Sequence, residues 1–280
     1  LRLLLEGTAG SGKTYTALQV AKGIGGKVAV YDTEGGSSAK YADRFTFDLD
    51  VPPAHDVEGF IRAIQDAERA GYTTIILDSI SHEWAGKGGM LERNQEIAKT
   101  SKGGNTYYAW NETGKLHQGF IDAVLNSQIH VIATCRVKTA YETEGRGKDF
   151  TARKIGTEPI QRDGTEYEFD TIGELTVENW MTITKDRSGK FQGQRIEKPG
   201  PEFGEAMLAW LNRGETPPTP ITPEQLAFSG SLFQSTMESG KQTQADLLNL
   251  LQKYGVTQRR HLTSAQADEL IAHLQSLQTE

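Results

Sequence analysis

The stretch Gly7-Thr8-Ala9-Gly10-Ser11-Gly12-Lys13-Thr14 concentrates more chemistry than any other in the chain. It fits G-x-x-x-x-G-K-[ST], the spacing of a phosphate-binding loop, at every fixed position. Glycines let the backbone curl until successive N–H groups face one point. A helix starting there adds its partial positive charge. Lys13 is placed to reach terminal phosphates, and the Thr14 hydroxyl to ligate Mg²⁺. The flanks agree: Leu1 to Leu5 reads as a short buried strand and Tyr15 to Ile24 as a helix. The expected chemistry is ATP binding, with Gly7 through Thr14 and Tyr15 around the nucleotide.

Two further groups of carboxylates lie where such a loop needs them. Thr74-Ile75-Ile76-Leu77-Asp78 is an apolar strand ending in an acid, and Asp78 is expected to hold Mg²⁺ together with Thr14. Hydrolysis also needs a group that positions or deprotonates water. In the AAA+ class a Glu directly follows the Mg²⁺ aspartate, but Ser79 stands there in this sequence. The remaining candidate is Glu34, at the end of a second strand, Lys27 to Asp32. The alternative for Asp32 and Glu34 is an ordinary turn.

The elements that must position these residues follow from periodicity. Val57, Phe60, Ile61, Ile64 and Ala67 repeat at a helical interval, with Asp56 as N-cap and Gly71 just past the end. Lys115 to Leu125 reads as a helix, and Ala39 to Arg44 as a short one. Ile129 to Thr134, Ile172 to Val177, Asn179 to Thr184 and Gly193 to Ile196 read as strands, and Phe203 to Leu211 as a short helix. Ser81 to Thr113 is long, polar and dotted with glycine, and reads as a loop. Thr139 to Asp170 reads as a second loop with room for a hairpin. Strands alternating with helices predict an α/β fold: a mostly parallel central sheet flanked by helices, with the ligand at the strands' carboxyl ends. Domain 1–214 is then a nucleotide-binding core, 215–223 a Pro-rich linker, and 224–280 a small helical module opened by a capping box at Thr222 and Gln225.

Val28-Ala29-Val30-Tyr31-Asp32-Thr33-Glu34, with Tyr41-Ala42 and Asp48-Leu49-Asp50 beyond it, resembles the corresponding stretch of RecA recombinases. The order of parts over about residues 1–211 is similar too. More closely, Asp32-Thr33-Glu34-Gly35-Gly36, Asp78-Ser79-Ile80-Ser81, Arg136-Val137-Lys138 and Lys185-Asp186-Arg187 look like the short RecA-like ATPases of phages, regarded as single-strand annealing or recombination proteins. The resemblance implies a RecA-like core and a DNA-stimulated ATPase acting on single-stranded DNA as a homo-oligomer, ring or filament, in the cytoplasm of a phage-infected or prophage-carrying bacterium. Glu34 matches the water-activating glutamate and Tyr41 the tyrosine that stacks on adenine. Lys185 and Arg187 match a cation pair that reaches a neighbouring subunit's γ-phosphate. Two departures stand out. Thr134-Cys135-Arg136 replaces the glutamine ending the sensor strand, which makes Arg136 a candidate γ-phosphate sensor, a DNA-facing cation or a structural one. The helix and strand by which RecA subunits link have no counterpart ahead of Leu1, which opens the chain inside a strand and without Met; residues are expected to precede it.

The two predicted loops fall where the DNA-binding loops of that family lie. They supply Lys87 and Lys102, then Lys138, Arg146, Lys148, Arg153, Lys154 and Arg162, interleaved with Trp84, Tyr107, Tyr108, Trp110, Tyr141, Phe150 and Tyr167. Cations tracking phosphates among aromatic faces suit a single strand; a solvated charged face and core aromatics are the alternative. A net charge of −7 argues against a molecule coated in positive charge, but a local basic groove remains open.

One cysteine, Cys135, excludes an intramolecular disulfide, and six scattered histidines show no zinc spacing. No run predicts a membrane span or signal peptide. The tail cluster Lys253, Arg259, Arg260 and His261 reads as a solvated connection, and the tail module is a candidate contact for a single-strand-binding protein. The competing readings are a small-molecule P-loop kinase, with Arg146, Arg153 and Arg162 as its lid, and a nucleotide-switched helicase loader or adaptor.

Overall fold

The computed structural model describes all residues except 101–105, 145–150, 215–218 and 280; side chains are also left undescribed at 106–107, 140–144, 151–155 and 278–279. The chain divides into two compact units, Leu1–Arg213 and Gly214–Glu280.

Unit one is built on a mixed, mostly parallel sheet of nine strands. The strands are β1 (Arg2–Gly7), β2 (Val28–Asp32), β3 (Asp48–Asp50), β4 (Thr74–Asp78), β5 (His130–Glu144), β6 (Thr151–Pro159), β7 (Thr171–Leu175), β8 (Trp180–Asp186) and β9 (Arg195–Glu197). Their order is β3-β2-β4-β5-β1-β7-β8-β9, with β6 paired to the far half of β5. The first six run parallel; β8, β9 and β6 are antiparallel to their neighbours.

Helices α1 (Lys13–Ile24), α2 (Val57–Arg69), α3 (Ser81–Ala85), α4 (Met90–Thr100), α5 (Thr106–Asn126) and α6 (Pro201–Leu211) belong to this unit. Strand alternation sends Leu4, Ile75, Leu77 and Ala133 into one core with Phe60 and Ile64 of α2 and Phe120 and Val124 of α5. Leu3, Leu5, Ile76 and Ile132 enter the other core, with Leu18 and Val20 of α1 and Phe203 and Met207 of α6. Covered on both faces, the central strands are apolar throughout. Helix α1 approaches α6 so closely that a Cβ at Gly23 would overlap the Pro201 carbonyl. Asp56 caps α2 through Gly59 N at 2.7 Å, and Gly71 follows in the left-handed region.

The structure corrects the first long loop and puts the expected hairpin in the second. Residues 81–113 hold α3, α4 and the first turns of α5, which begins nine residues before the expected Lys115. These helices pack through polar and small groups rather than an apolar stripe: buried Asn94 of α4 donates to Thr113 of α5 at 3.1 Å, and Glu83 of α3 meets His117 of α5 at 3.1 Å. In 139–170 the chain forms the β5–β6 hairpin and then a 3₁₀ turn at Thr165–Glu168, so most of that segment is not loop. β3 was not expected as a strand; Asp48, Leu49 and Asp50 are all exposed and show no alternation.

Unit two comprises α7 (Pro223–Glu238), α8 (Gln244–Lys253) and α9 (Ser264–Thr279) around Leu232, Leu251, Leu262, Leu270 and Leu274. Capping boxes open α7, at Thr222 and Gln225, and α8, at Thr243 and Asp246. No helix among the described residues is long and apolar enough to cross a membrane.

Candidate active site

The carboxyl ends of β1, β2, β4 and β5 converge on one cavity of about 540 Å³, lined among others by Gly10, Lys13, Thr14, Glu34, Tyr41 and Arg136. The loop from β1 to α1 turns through Gly10 and Gly12, both left-handed. At Gly12 the demand is double: its φ is +85°, and a Cβ would stand 2.5 Å from the Asn179 amide nitrogen. Asn179, itself at φ 62° in the β7–β8 turn, donates that N–H to Ser11 O at 3.1 Å and so braces the loop from outside. Nothing local in the sequence marks this contact; only Asn's tolerance of the left-handed region fits the turn.

Lys13 is buried and folds onto the loop, donating to Gly7 O at 3.0 Å and Thr8 O at 2.9 Å. Burial lowers its pKa, while Glu34 and Asp78 hold it up. The ammonium thus rests on carbonyls that a phosphate group can replace.

β5 lies between β1 and β4, which brings Thr134 beside Asp78. Asp78 is 1% exposed. One oxygen accepts from Thr14 Oγ1 at 2.7 Å, the other from Thr134 Oγ1. Burial raises the Asp78 pKa, and the two hydroxyls oppose that rise. The Thr14 hydroxyl and Asp78 carboxylate are hard oxygen donors held together at the loop's end, a set that fits Mg²⁺.

Asp32, fully buried at the end of β2, accepts from Glu34 N at 2.6 Å, Gly36 N at 3.3 Å and Ser38 N at 2.8 Å. It builds the turn that presents Glu34. Thr33 ties that turn to β4: its hydroxyl accepts from Ser79 N at 2.8 Å, across a cis Asp78–Ser79 peptide. Glu34 is 25% exposed on the cavity wall, where Arg136 Nε donates to its Oε1 at 2.9 Å. Tyr41 closes the 3₁₀ turn Ser37–Tyr41 and stands edge-on to Tyr15, with centroids 5.7 Å apart. Cys135 is buried and its thiol is pushed up to about 12 by burial, so it stays protonated.

Residues 1–196 match a family model described as AAA domain. The chain belongs to the AAA domain family. No curated protein matches it. Within this AAA domain the matched stretch holds the phosphate loop, Glu34, Asp78 and Thr134 together, on an α/β P-loop nucleotide-binding core.

The other expected residues lie elsewhere. Lys185 and Arg187 sit at the opposite end of the sheet from their own phosphate loop, since Ile172 pairs with Lys185 while Leu175 pairs with Gly7. Lys185 donates to Tyr167 O at 2.7 Å, and Arg187 pairs with Asp170 at 3.4 Å. Lys87 is exposed between α3 and α4, Lys138 pairs with Glu158 at 2.9 Å, and Arg162 is exposed beside Gly114 of α5. Arg153 and Lys154 lie on β6 opposite Glu142 and Tyr141. Lys102, Arg146 and Lys148 fall outside the described residues.

Proposed function

We propose that the chain is an ATPase that turns ATP and water into ADP and phosphate. The observation that carries this is the cavity lined by Lys13, Thr14 and Glu34, with buried Asp78 bonded to Thr14 at its edge. The loop amides and Lys13 hold the phosphates. Thr14 and Asp78 would hold Mg²⁺, which would neutralise charge developing on the phosphates. Glu34, at the rim, takes the proton from the attacking water. Tyr41 offers a face to the adenine.

The finer reading is a DNA-stimulated ATPase of the RecA type, acting on single-stranded DNA in phage recombination or annealing. Besides the sequence resemblance, a surface of stacked Trp84 and Trp110, with centroids 5.8 Å apart and Trp110 exposed, supports it. Arg162, from the segment after β6, stands beside Gly114 on the helix that carries Trp110. In this reading Lys185 and Arg187 serve a neighbouring subunit of a ring or filament, because their own phosphate loop lies at the other end of the sheet. The helical module would then serve a protein partner such as a single-strand-binding protein.

One observation favours a second reading, a nucleotide-switched loader or adaptor: Arg136 already holds Glu34. Measuring ATP hydrolysis with and without single-stranded DNA separates the two. Turnover that rises with DNA and disappears in Glu34→Gln supports the ATPase. Slow turnover, indifferent to DNA and to Glu34→Gln, supports the switch.

A further inference from the structure

Arg136 faces two cavities. One is the nucleotide cavity. The other, about 340 Å³, shares Arg136 and Ile160 with the first and is lined also by His55, Ser81, His82 and Lys87. No carboxylate is among its lining residues. The two imidazoles stack, with centroids 4.8 Å apart and planes 16° from parallel. His82 is fixed by the Thr33 hydroxyl at 2.8 Å, within the turn that carries Glu34. His55 is held by its backbone N–H, which donates to Lys87 O at 3.0 Å, while its Nδ1 is buried without a hydrogen-bond partner. Burial and then the positive charge of Arg136 lower both histidine pKa values, and Lys87 lowers that of His55 further. Arg136, Lys87 and two imidazoles thus line one hollow whose lining holds no carboxylate.

Among the described residues, Glu34 is the carboxylate that pairs with Arg136, and it lines the nucleotide cavity rather than this hollow. A guanidinium has five donors, and among the described residues Glu34 takes the Nε one. We propose that the second cavity takes a phosphate group, and that the occupant competes with Glu34 for Arg136. Two sources share this chemistry: a backbone phosphodiester of a polynucleotide and free inorganic phosphate. A phosphate drawing Arg136 toward His55, His82 and Lys87 leaves the Glu34 carboxylate free to accept a proton from water. An empty cavity leaves it neutralised. This second, regulatory half rests on the role given above to Glu34; binding itself does not.

The test is a titration of the full chain with its phosphate loop saturated by ADP and Mg²⁺, following the imidazole ¹⁵N signals of His55 and His82. The probes are inorganic phosphate and oligothymidylate. Shifts with phosphate identify the free anion as sufficient. Shifts with oligothymidylate alone identify the phosphodiester. Silence with both overturns the site. Lys87→Ala, at an exposed position, should weaken the effective probe about fivefold by removing one charge-assisted contact. His55→Gln should weaken it comparably. Glu34→Gln, which removes the competing charge, should tighten it about fivefold. Unchanged affinity in Glu34→Gln overturns the competition. Failure of Glu34 as the base has a different signature: normal ATP turnover in Glu34→Gln, with the titration unaffected.

Discussion

Asp78 and Glu34 end neighbouring strands, and the difference between their settings divides the cavity into a floor and a rim. In the floor, Asp78 is buried and both its oxygens are occupied by hydroxyls, Thr14 from the loop and Thr134 from β5. Lys13 and the glycine loop are likewise held by fixed partners, and Asn179 braces the loop from behind. At the rim, Glu34 is 25% exposed and pairs with Arg136, which is 45% exposed. Groups that bind are preorganised at the cost of desolvation. Glu34, the proposed proton acceptor, is left on a surface turn built by buried Asp32. On the proposed function, binding and proton transfer separate by residue.

The largest expected effect tests the proposed extension of the rim into a neighbouring subunit. Lys185→Ala with Arg187→Ala should cut hydrolysis about a thousandfold, as loss of an arginine finger does, with nucleotide affinity retained. Mixing this variant with Glu34→Gln should restore part of the activity, since some interfaces then join intact groups from each. Co-assembly without recovery would return both cations to their local contacts with Tyr167 and Asp170.

In the floor, Lys13→Ala should weaken ATP binding roughly a hundredfold, read by calorimetry, because a charge-assisted contact to phosphate is lost. Binding within twofold of the parent would break the division between floor and rim.

Beneath the floor, Glu6 of β1 is 6% exposed, with one carboxyl oxygen unpartnered. Burial, then Glu174 and Glu166, raise its pKa from 4.5 to about 7. The sign follows from that direction. The folded state holds the proton longer than the unfolded chain, so stability is full below about pH 4.5 and is lost as pH rises toward 7. Glu6→Gln should therefore stabilise the protein by roughly 3 kcal/mol at pH 8 and change little at pH 4, measured by denaturant unfolding. Equal effects at both pH values would contradict a buried, protonated Glu6.

The smallest effect concerns the brace. Asn179→Ala should weaken nucleotide binding about threefold to tenfold through one lost hydrogen bond. Asn179→Gly keeps the left-handed backbone but not the amide. Full affinity in the glycine variant would show that the turn, not the contact with Ser11, sets the loop.

Much of the floor was legible in the sequence because its parts are contiguous: Gly7 to Thr14 is one motif, and Asp78 ends one apolar strand. The parallel core was legible for the same reason, since strands buried on both faces read as apolar runs. Asn179 and Thr134 were not, because their partners Ser11 and Asp78 are distant in the chain and meet only when β7–β8 and β5 take their places. Helices α3 to α5 were hidden by their own interior. Glu83, Asn94, Thr113 and His117 are all buried and satisfied one another, where a search for apolar period expects Leu or Ile. Arg136 was visible as a departure from the RecA pattern, but its pairing with Glu34 required β2 and β5 to end side by side around β4.

The most direct test of a binding floor and a reacting rim is to measure ATP affinity and single-turnover hydrolysis on the same Glu34→Gln protein. An amide leaves every floor contact in place and cannot take a proton from water. The account predicts ATP and Mg²⁺ bound with affinity close to the parent, and hydrolysis reduced at least a hundredfold, at the low end of what a general base contributes. Hydrolysis at the parental rate with ATP bound would contradict it and move proton transfer to another group.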